Sequence, residues 1–266
     1  MKGSLCFLLL FLTCQFLCAE EKYKWIKDVP YVASSDTSQY RRERCKLDVY
    51  YPQGKKGFKT LVWFHGGGLT KGSKSLRKEF MERGYAVVPA NYRLFPRCKN
   101  PDYTRDAAAA VAWVVKHIGQ YGGDASQIYV AGHSAGAYLA LMLALDKQYL
   151  GQYGIDADSV KGYFPLSGQT ATHFTIKKER GLDQKIPLVE EYAPLHHVRK
   201  LNTQLVLVTG DRHMEMAMRY EENLYLKAAL ENVGNAEIPL FELSGFAHSP
   251  MCGPGCQIVD RYLRGK

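Results

Sequence analysis

The chain has 266 residues, of which 46% are apolar, and a formal net charge of +9. A chain of this length and composition can bury one large core, so we expect a single domain. The basic residues are scattered in short groups such as Lys55-Lys56 and Lys177-Lys178, with no long block and no interleaved aromatic platform. This pattern is typical of a solvated surface and argues against nucleic acid as a partner.

The beginning of the chain predicts an export signal. A lysine at position 2 precedes a nearly wholly apolar stretch at residues 5–17, and small residues at Cys18-Ala19 then give way to charge. The stretch is short for a membrane span, which needs about 20 apolar residues. We therefore predict a signal peptide at residues 1–19, secretion or delivery to the periplasm, and no stable membrane insertion after cleavage. A retained membrane anchor is the alternative interpretation.

Four cysteines follow the predicted signal peptide, and an even number in an exported protein favours disulfides. We expect Cys252 to pair with Cys256, because Gly253-Pro254-Gly255 can turn the chain back on itself, and Cys45 to pair with Cys98 by elimination. Free buried thiols are the alternative. The sequence contains no Cys-x-x-Cys pair and no His-Glu-x-x-His helix, so we predict no metal site.

Past the signal peptide, short apolar runs alternate with longer segments of helical period. This alternation is typical of an α/β fold, a mostly parallel sheet with helices on both faces. The run Leu205-Val206-Leu207-Val208 is continuously apolar, as expected for a parallel strand buried on both faces. The predicted strands are residues 46–51, 60–64, 86–90, 127–131, 160–165, 204–209 and 238–243.

Three segments between these strands predict helices. Residues 103–118 contain an alanine-rich run preceded by Asp102 as a plausible cap, residues 135–145 predict a buried helix, and residues 216–232 alternate polar and apolar residues at helical spacing. The segment 169–200 is the least regular. We interpret it as a small excursion over the active-site end of the sheet, a partial lid, with a plain connection as the alternative.

The sequence Gly132-His133-Ser134-Ala135-Gly136 matches the pattern Gly-x-Ser-x-Gly between a predicted strand and a predicted helix. This context is the one that a nucleophile elbow requires, because the serine must sit on a sharp turn with its hydroxyl above the sheet edge. Side chains at Gly132 or Gly136 would collide with neighbouring backbone. The pattern therefore predicts Ser134 as a nucleophile.

A glycine run, His65-Gly66-Gly67-Gly68, follows the strand predicted at residues 60–64. Backbone N–H groups in such a loop can stabilise the negative oxygen of a tetrahedral intermediate. We expect the donors to be Gly66, Gly67 and Ala135, the residue after the nucleophile. A phosphate-binding loop is disfavoured, because Ser73-Lys74 stands in the wrong order for that motif.

A serine nucleophile needs a base, since its hydroxyl is unreactive at its own pKa. His248 lies in the loop after the last predicted strand, where the triad histidine is expected. His117, His173, His196 and His197 lie in segments that do not fit this position. We therefore predict that His248 is the base.

These motifs in this order resemble the α/β-hydrolases, and among them small carboxylesterases similar to feruloyl-esterase-like and hormone-sensitive-lipase-like enzymes. The resemblance extends over the whole chain after the signal peptide. The segments that carry it are 47–52, 65–68, 91–94, 131–136 and 245–248. It implies an α/β-hydrolase fold and an enzyme that cleaves carboxylic esters through an acyl-enzyme intermediate, with no cofactor.

One position departs from this pattern. Such enzymes usually carry the triad acid three residues beyond the glycine that ends the strand, and here that place is His213. The carboxylates nearby are Asp211, which we favour because it is nearest the strand end, and Glu215, which stays an alternative. This irregular position is the one feature that favours a non-catalytic binding protein with a degenerate triad.

The substrate class is predicted less specifically than the chemistry. Export and family analogy favour a small ester as the substrate, such as a side-chain ester of a plant polysaccharide, with amide or formamide hydrolysis as the next alternative. The sequence leaves the oligomeric state open.

Overall fold

The computed structural model describes residues 22–266, so the predicted signal peptide at residues 1–19 lies outside the described residues. The described part of the chain is built around one sheet. Its strands are β1 (Tyr23–Pro30), β2 (Lys46–Pro52), β3 (Phe58–Phe64), β4 (Ala86–Ala90), β5 (Gly123–His133), β6 (Gly162–Leu166), β7 (Gln204–Leu205), β8 (Leu207–Gly210) and β9 (Leu240–Leu243).

The strand order explains where a site can form. It runs β1-β2-β4-β3-β5-β6-β8-β9, with β7 also pairing with β6. Strands β1, β2 and β4 pair antiparallel, and the remaining pairs are parallel. The carboxyl ends of β3, β5, β6, β8 and β9 therefore meet at one edge of the sheet, where ligand sites of open α/β sheets form.

Helices cover both faces of the sheet. They are α1 (Gln39–Arg44), α2 (Asp102–His117), α3 (Ala135–Leu145), α4 (Lys147–Gly151), α5 (Phe174–Glu179), α6 (Arg219–Asn232) and α7 (Cys252–Arg264). None of these helices, within residues 22–266, combines the length and the apolarity that crossing a bilayer requires.

Neighbouring strand residues contribute to two different hydrophobic clusters. Val62 and Phe64 of β3 pack in the cluster that contains α2 and α3, whereas Leu61 and Trp63 pack in the cluster that contains α7. Because successive side chains of a strand point to opposite faces, the two clusters lie on opposite faces of the sheet. This arrangement confirms the predicted α/β fold with helices on both faces.

Helix α7 begins with Cys252-Gly253-Pro254, where the sequence predicts a chain reversal. Proline is tolerated in the first turn of a helix, because the backbone N–H groups there have no partner inside the helix. The turn residues therefore begin a helix with a strongly apolar face, on which Val259 and Leu263 are buried.

The predicted disulfides are wrong for this structure, in which Cys45, Cys98, Cys252 and Cys256 are all free and buried. Cys252 and Cys256 are one helical turn apart in α7, where their thiols hydrogen-bond each other instead of closing a loop. The alternative of free buried thiols is the one that the structure has.

A buried ion pair fixes the loop that follows β4. The Arg93 guanidinium donates to both carboxylate oxygens of Asp106 in α2, with N–O distances of 2.7 and 3.0 Å. The Asp106 side chain is fully buried. Asp106 also accepts a hydrogen bond from Arg41 of α1, so three segments of chain meet at one carboxylate.

Candidate active site

Ser134 lies on a strained turn between β5 and α3. Its backbone has φ 56° and ψ −116°, a left-handed conformation that non-glycine residues rarely adopt. A Cβ atom at Gly132 would lie 2.4 Å from the backbone of Gly136, and one at Gly136 would lie 2.1 Å from the carbonyl oxygen of Phe64. The two glycines are therefore needed for the strand and helix to pack at this turn.

His248 lies between β9 and α7, and it reaches Ser134 as predicted. Its Nε2 is 2.8 Å from the Ser134 Oγ. The backbone carbonyl of His248 lies 2.8 Å from Nε2 of His133, the residue before the nucleophile. Burial, with a contribution from the nearby His248, lowers the pKa of His133 to about 4, so its neutral ring can donate to this carbonyl. The contact ties the His248 loop to the nucleophile turn.

The carboxylate against His248 belongs to Glu215, the alternative, and not to the favoured Asp211. Oε1 of Glu215 lies 2.5 Å from Nδ1 of His248. The side chain of Glu215 is 1% exposed, whereas that of His248 is 19% exposed. Ser134, His248 and Glu215 therefore form a continuous chain of hydrogen-bonding groups.

Asp211 instead joins the two loops that carry the acid and the base. Its Oδ2 accepts a hydrogen bond of 2.7 Å from the backbone N–H of Gly245, and its own N–H donates to the Phe246 carbonyl at 2.8 Å. The N–H of Glu215 donates to the Asp211 carbonyl at 2.8 Å, which closes one helical turn after β8. This turn brings Glu215 back over the strand end, where the fifth residue of the turn, Glu215, faces His248 instead of the first, Asp211.

The environment of Glu215 holds it in the charged form. Burial alone raises the pKa of this carboxyl, but hydrogen bonds from His248, the Met216 N–H and the Ser167 hydroxyl outweigh burial and lower the pKa to about 2. The Gly210 N–H also donates to Oε2 at 3.1 Å. A carboxylate with several such donors stays ionised at neutral pH.

Ser167 is a further residue of the site, which was not predicted from the sequence. It follows β6, is fully buried, and has φ 55°. Its hydroxyl donates to Oε2 of Glu215 at 2.8 Å and lies 3.0 Å from Nδ1 of His248. Arg219 donates to the Ser167 carbonyl at 2.7 Å, which helps to hold the strained backbone. The left-handed conformation of a buried non-glycine residue at a strand end marks a functional constraint that no sequence motif indicates.

The glycine run lies beside the nucleophile. A Cβ atom at Gly66 would lie 3.2 Å from the Ser134 Cβ, and Gly67 has φ 115° with its Cβ position blocked by the Lys71 carbonyl. His65 Nδ1 is 2.7 Å from the Gly66 oxygen, and its Nε2 faces a guanidinium nitrogen of Arg44 at 3.2 Å. Burial lowers the pKa of His65 to about 4, so the neutral ring donates to Gly66 and accepts from Arg44.

An open cavity of about 670 Å³ gives access to these groups. Its wall includes Gly66, Gly67, Ser134 and His248. Phe174 of α5 also lines it, so the irregular segment 169–200 contributes to the mouth of the site. Ala135 is the first residue of α3, directly after the nucleophile, as the elbow pattern predicts.

The sheet order, the Gly-x-Ser-x-Gly turn and the opposed histidine together define the fold of an α/β-hydrolase. Residues 47–175 match the BD-FAE family model. Two solved structures have a similar fold over nearly the whole length of this chain. A truncated carbohydrate esterase from gut microbiota has a TM-score of 0.75 at 19% identity and covers 93% of this chain and 98% of its own. Esterase 2 of Thermogutta terrifontis, phosphoramylated by tabun, has a TM-score of 0.71 at 20% identity. The match covers 91% of this chain and 94% of the esterase.

Curated relatives match shorter stretches at higher identity. A probable isoprenylcysteine alpha-carbonyl methylesterase of Oryza sativa subsp. japonica is 35% identical over 157 residues, which are 54% of this chain and 37% of the relative. Esterase LipQ of Mycobacterium tuberculosis is 39% identical over 90 residues, 32% of this chain and 21% of the relative. The chain thus covers well under half the length of these relatives. It has the α/β-hydrolase fold and is similar in sequence to carboxylesterases.

Proposed function

We propose that this chain is a serine hydrolase that cleaves carboxylic esters through an acyl-enzyme intermediate. The observation that carries the proposal is the Ser134 Oγ at 2.8 Å from Nε2 of His248, with Nδ1 of the same ring 2.5 Å from Glu215. Nucleophile, base and orienting acid within hydrogen-bonding reach of one another are the signature of activated-serine chemistry.

The geometry supports a two-stage reaction. In the first stage the Ser134 Oγ bonds to the ester carbonyl carbon while Nε2 of His248 takes the hydroxyl proton. The tetrahedral intermediate then expels the alcohol, which receives that proton from His248, and Ser134 keeps the acyl group. In the second stage His248 removes a proton from water, the hydroxide attacks the acyl carbon, and the released Ser134 oxygen regains a proton.

Glu215 orients the base and stabilises it when it is charged. An ionised carboxylate against Nδ1 keeps the proton on that nitrogen, which leaves Nε2 free to accept from Ser134. Its pKa of about 2 keeps Glu215 ionised while His248 carries its extra proton. We assign Ser167 as a positioning residue, because its hydroxyl fixes the second oxygen of Glu215.

We assign the oxyanion donors to the N–H groups of Gly66, Gly67 and Ala135. His65 holds the Gly66 carbonyl, and in a trans peptide the N–H of the next residue points the opposite way. The Gly67 N–H is therefore directed away from His65. Ala135 opens α3, whose first N–H groups have no partner within the helix. Removing one such donor typically lowers the rate by about 10²–10³.

The names of the relatives support esters as the substrate class. One is a probable methylesterase and another an esterase, which favours a small ester over an amide or formamide. The charged run after an apolar beginning supports a secreted or periplasmic enzyme with a cleaved signal peptide. A non-catalytic binding protein was favoured only by the absence of a carboxylate at position 213. Glu215 lies against His248 and can act as the triad acid, which favours the enzyme over that alternative.

Hydrolysis of nitrophenyl acetate tests this proposal. We expect turnover by the wild type and a loss of about 10⁶ in kcat for Ser134→Ala, as in other serine hydrolases that lose the nucleophile. Ser249→Ala is the matched control, because Ser249 lines the same cavity and should leave activity nearly unchanged. Equal turnover by Ser134→Ala and the wild type would overturn the proposal.

A further inference from the structure

A second cavity lies beside the active site. It has a volume of about 470 Å³ and lies between the segment 169–200 and the start of α6. Phe174 and Met216 line both this cavity and the one that contains Ser134. The two cavities therefore adjoin at these two side chains.

Two buried cations line this second cavity. Lys177 is 2% exposed and Arg219 is 4% exposed. The Lys177 ammonium donates to the carbonyls of Gln184 and Ile186, each at 2.7 Å. Neither cation has a carboxylate within ion-pair distance among residues 22–266.

The Arg219 guanidinium has more donors than partners. It donates to the Ser167 carbonyl at 2.7 Å, and its other contact is the Met216 sulfur at 4.0 Å, a weak acceptor. A guanidinium carries five N–H donors, so most of them are left for another acceptor. Burial lowers the pKa of both Arg219 and Lys177, which reflects the free-energy cost of removing unpaired cations from water.

The remaining charges of the cavity compensate these cations only in part. Its wall contains a third cation, Lys185, and one carboxylate, Glu222. Oε2 of Glu222 already accepts from the N–H groups of Thr170 and Ala171, at 2.8 and 3.3 Å. The wall therefore keeps an excess of positive charge next to apolar side chains.

We propose that this cavity is a subsite for a carboxylate carried by the ester substrate. The substrate class is an ester joined by a short apolar spacer to a free carboxylate, which Arg219 and Lys177 bind while Phe174 and Met216 contact the spacer. This proposal rests on the proposed ester hydrolysis and names its substrates. The carboxylate belongs either to the acyl part or to the alcohol part of the ester.

Matched pairs of esters distinguish charge from size. On the acyl side, nitrophenyl hydrogen adipate is compared with nitrophenyl methyl adipate, which differs only in its capped distal carboxyl group. On the alcohol side, para-acetoxybenzoate is compared with its methyl ester. Each kcat/KM is corrected for spontaneous hydrolysis, and the ratio of charged to capped ester is measured. A hydrogen bond to a charged group predicts a preference of about tenfold for the charged ester in one pair.

Lys177→Gln removes the charge and keeps an amide donor for the two loop carbonyls. We expect it to abolish most of the preference for the charged ester, measured as the ratio of kcat/KM for the charged and capped esters. Lys178→Gln is the matched control, because its side chain is the exposed neighbour in α5. If Lys177→Gln does not fold, the wild-type ratios decide alone.

The outcomes separate the two proposals. Preference for the charged ester in either pair, reduced in Lys177→Gln and kept in Lys178→Gln, supports the subsite and assigns the carboxylate to that part of the ester. Hydrolysis of all four esters with no such preference overturns the subsite and leaves ester hydrolysis standing. Absence of hydrolysis in every case, the capped esters included, overturns the proposed function itself.

Discussion

Oε1 of Glu215 lies 2.5 Å from Nδ1 of His248, although the sequence position usual for the triad acid is occupied by His213. The helical turn after β8 explains the offset, since the Glu215 N–H bonds back to the Asp211 carbonyl. The acid of this site is therefore supplied by the end of a turn and not by an extended loop.

Glu215→Gln should lower kcat by about 10⁴, the loss seen when a triad acid is replaced by its amide. The reason is that an amide can donate to Nδ1 and so favours the wrong tautomer of His248. Asp211→Asn should stay within a few-fold of the wild type, because Asp211 contacts backbone N–H groups and not the base. The measurement is the turnover of nitrophenyl acetate, and a larger loss for Asp211→Asn would reverse this assignment.

Lowering the pH should reduce the free energy of unfolding, because Glu215 becomes protonated. Its folded-state pKa of about 2 lies below the ordinary value of 4.5, so the unfolded chain binds the proton first. The stabilisation is complete above pH 4.5 and is lost as the pH falls towards 2. We expect the free energy of unfolding of Glu215→Gln to fall less steeply over this range than that of the wild type. Parallel curves from denaturant titrations would contradict the account.

Ser167→Ala should lower kcat/KM by about tenfold, the size expected for one hydrogen bond to a charged group. The variant leaves Oε2 of Glu215 with one donor, the Gly210 N–H, and the carboxylate then holds His248 less firmly. Steady-state kinetics on nitrophenyl acetate measures the effect. Unchanged kinetics would show that the serine is not a positioning residue.

Asp106→Ala should lower the free energy of unfolding by about 3–5 kcal/mol, because it removes the buried carboxylate that binds both Arg93 and Arg41 and leaves Arg93 only its bond to the partly exposed Asp102. Glu43→Ala is the control. Glu43 pairs with Arg97 at 3.5 Å on the surface, where ion pairs contribute about 0–1 kcal/mol. Denaturant titrations measure the free energy of unfolding of both variants. Equal decreases in the two variants would contradict the stabilising role of the buried pair.

The sequence predicted the buried strands and helices of the fold better than its edge strand and its last helix. The strand at residues 86–90 and the helix at residues 135–145 agree with β4 and α3, because continuous apolar runs are buried on all sides. Strand β1 was missed, since it alternates charged and apolar residues at the edge of the sheet. Helix α7 was missed because its first turn contains glycine and proline.

The site was predictable where a local motif fixes it. Ser134 and His248 follow from the elbow and from the last loop, and the structure brings them together. Glu215 and Ser167 depend on how two loops fold against each other at the sheet edge, so distance along the chain does not identify them. The helical turn after β8 makes the fifth residue of the loop, Glu215, the neighbour of the base.

Covalent labelling shows whether the Ser134 hydroxyl is activated in the folded protein. A fluorophosphonate reacts with a serine only when its hydroxyl is activated, and mass spectrometry of the digested protein identifies the modified residue. We predict one adduct, on the peptide that contains Ser134, which disappears in Ser134→Ala and forms far more slowly in His248→Ala. An adduct on another residue, or equal labelling of the wild type and Ser134→Ala, would contradict the account.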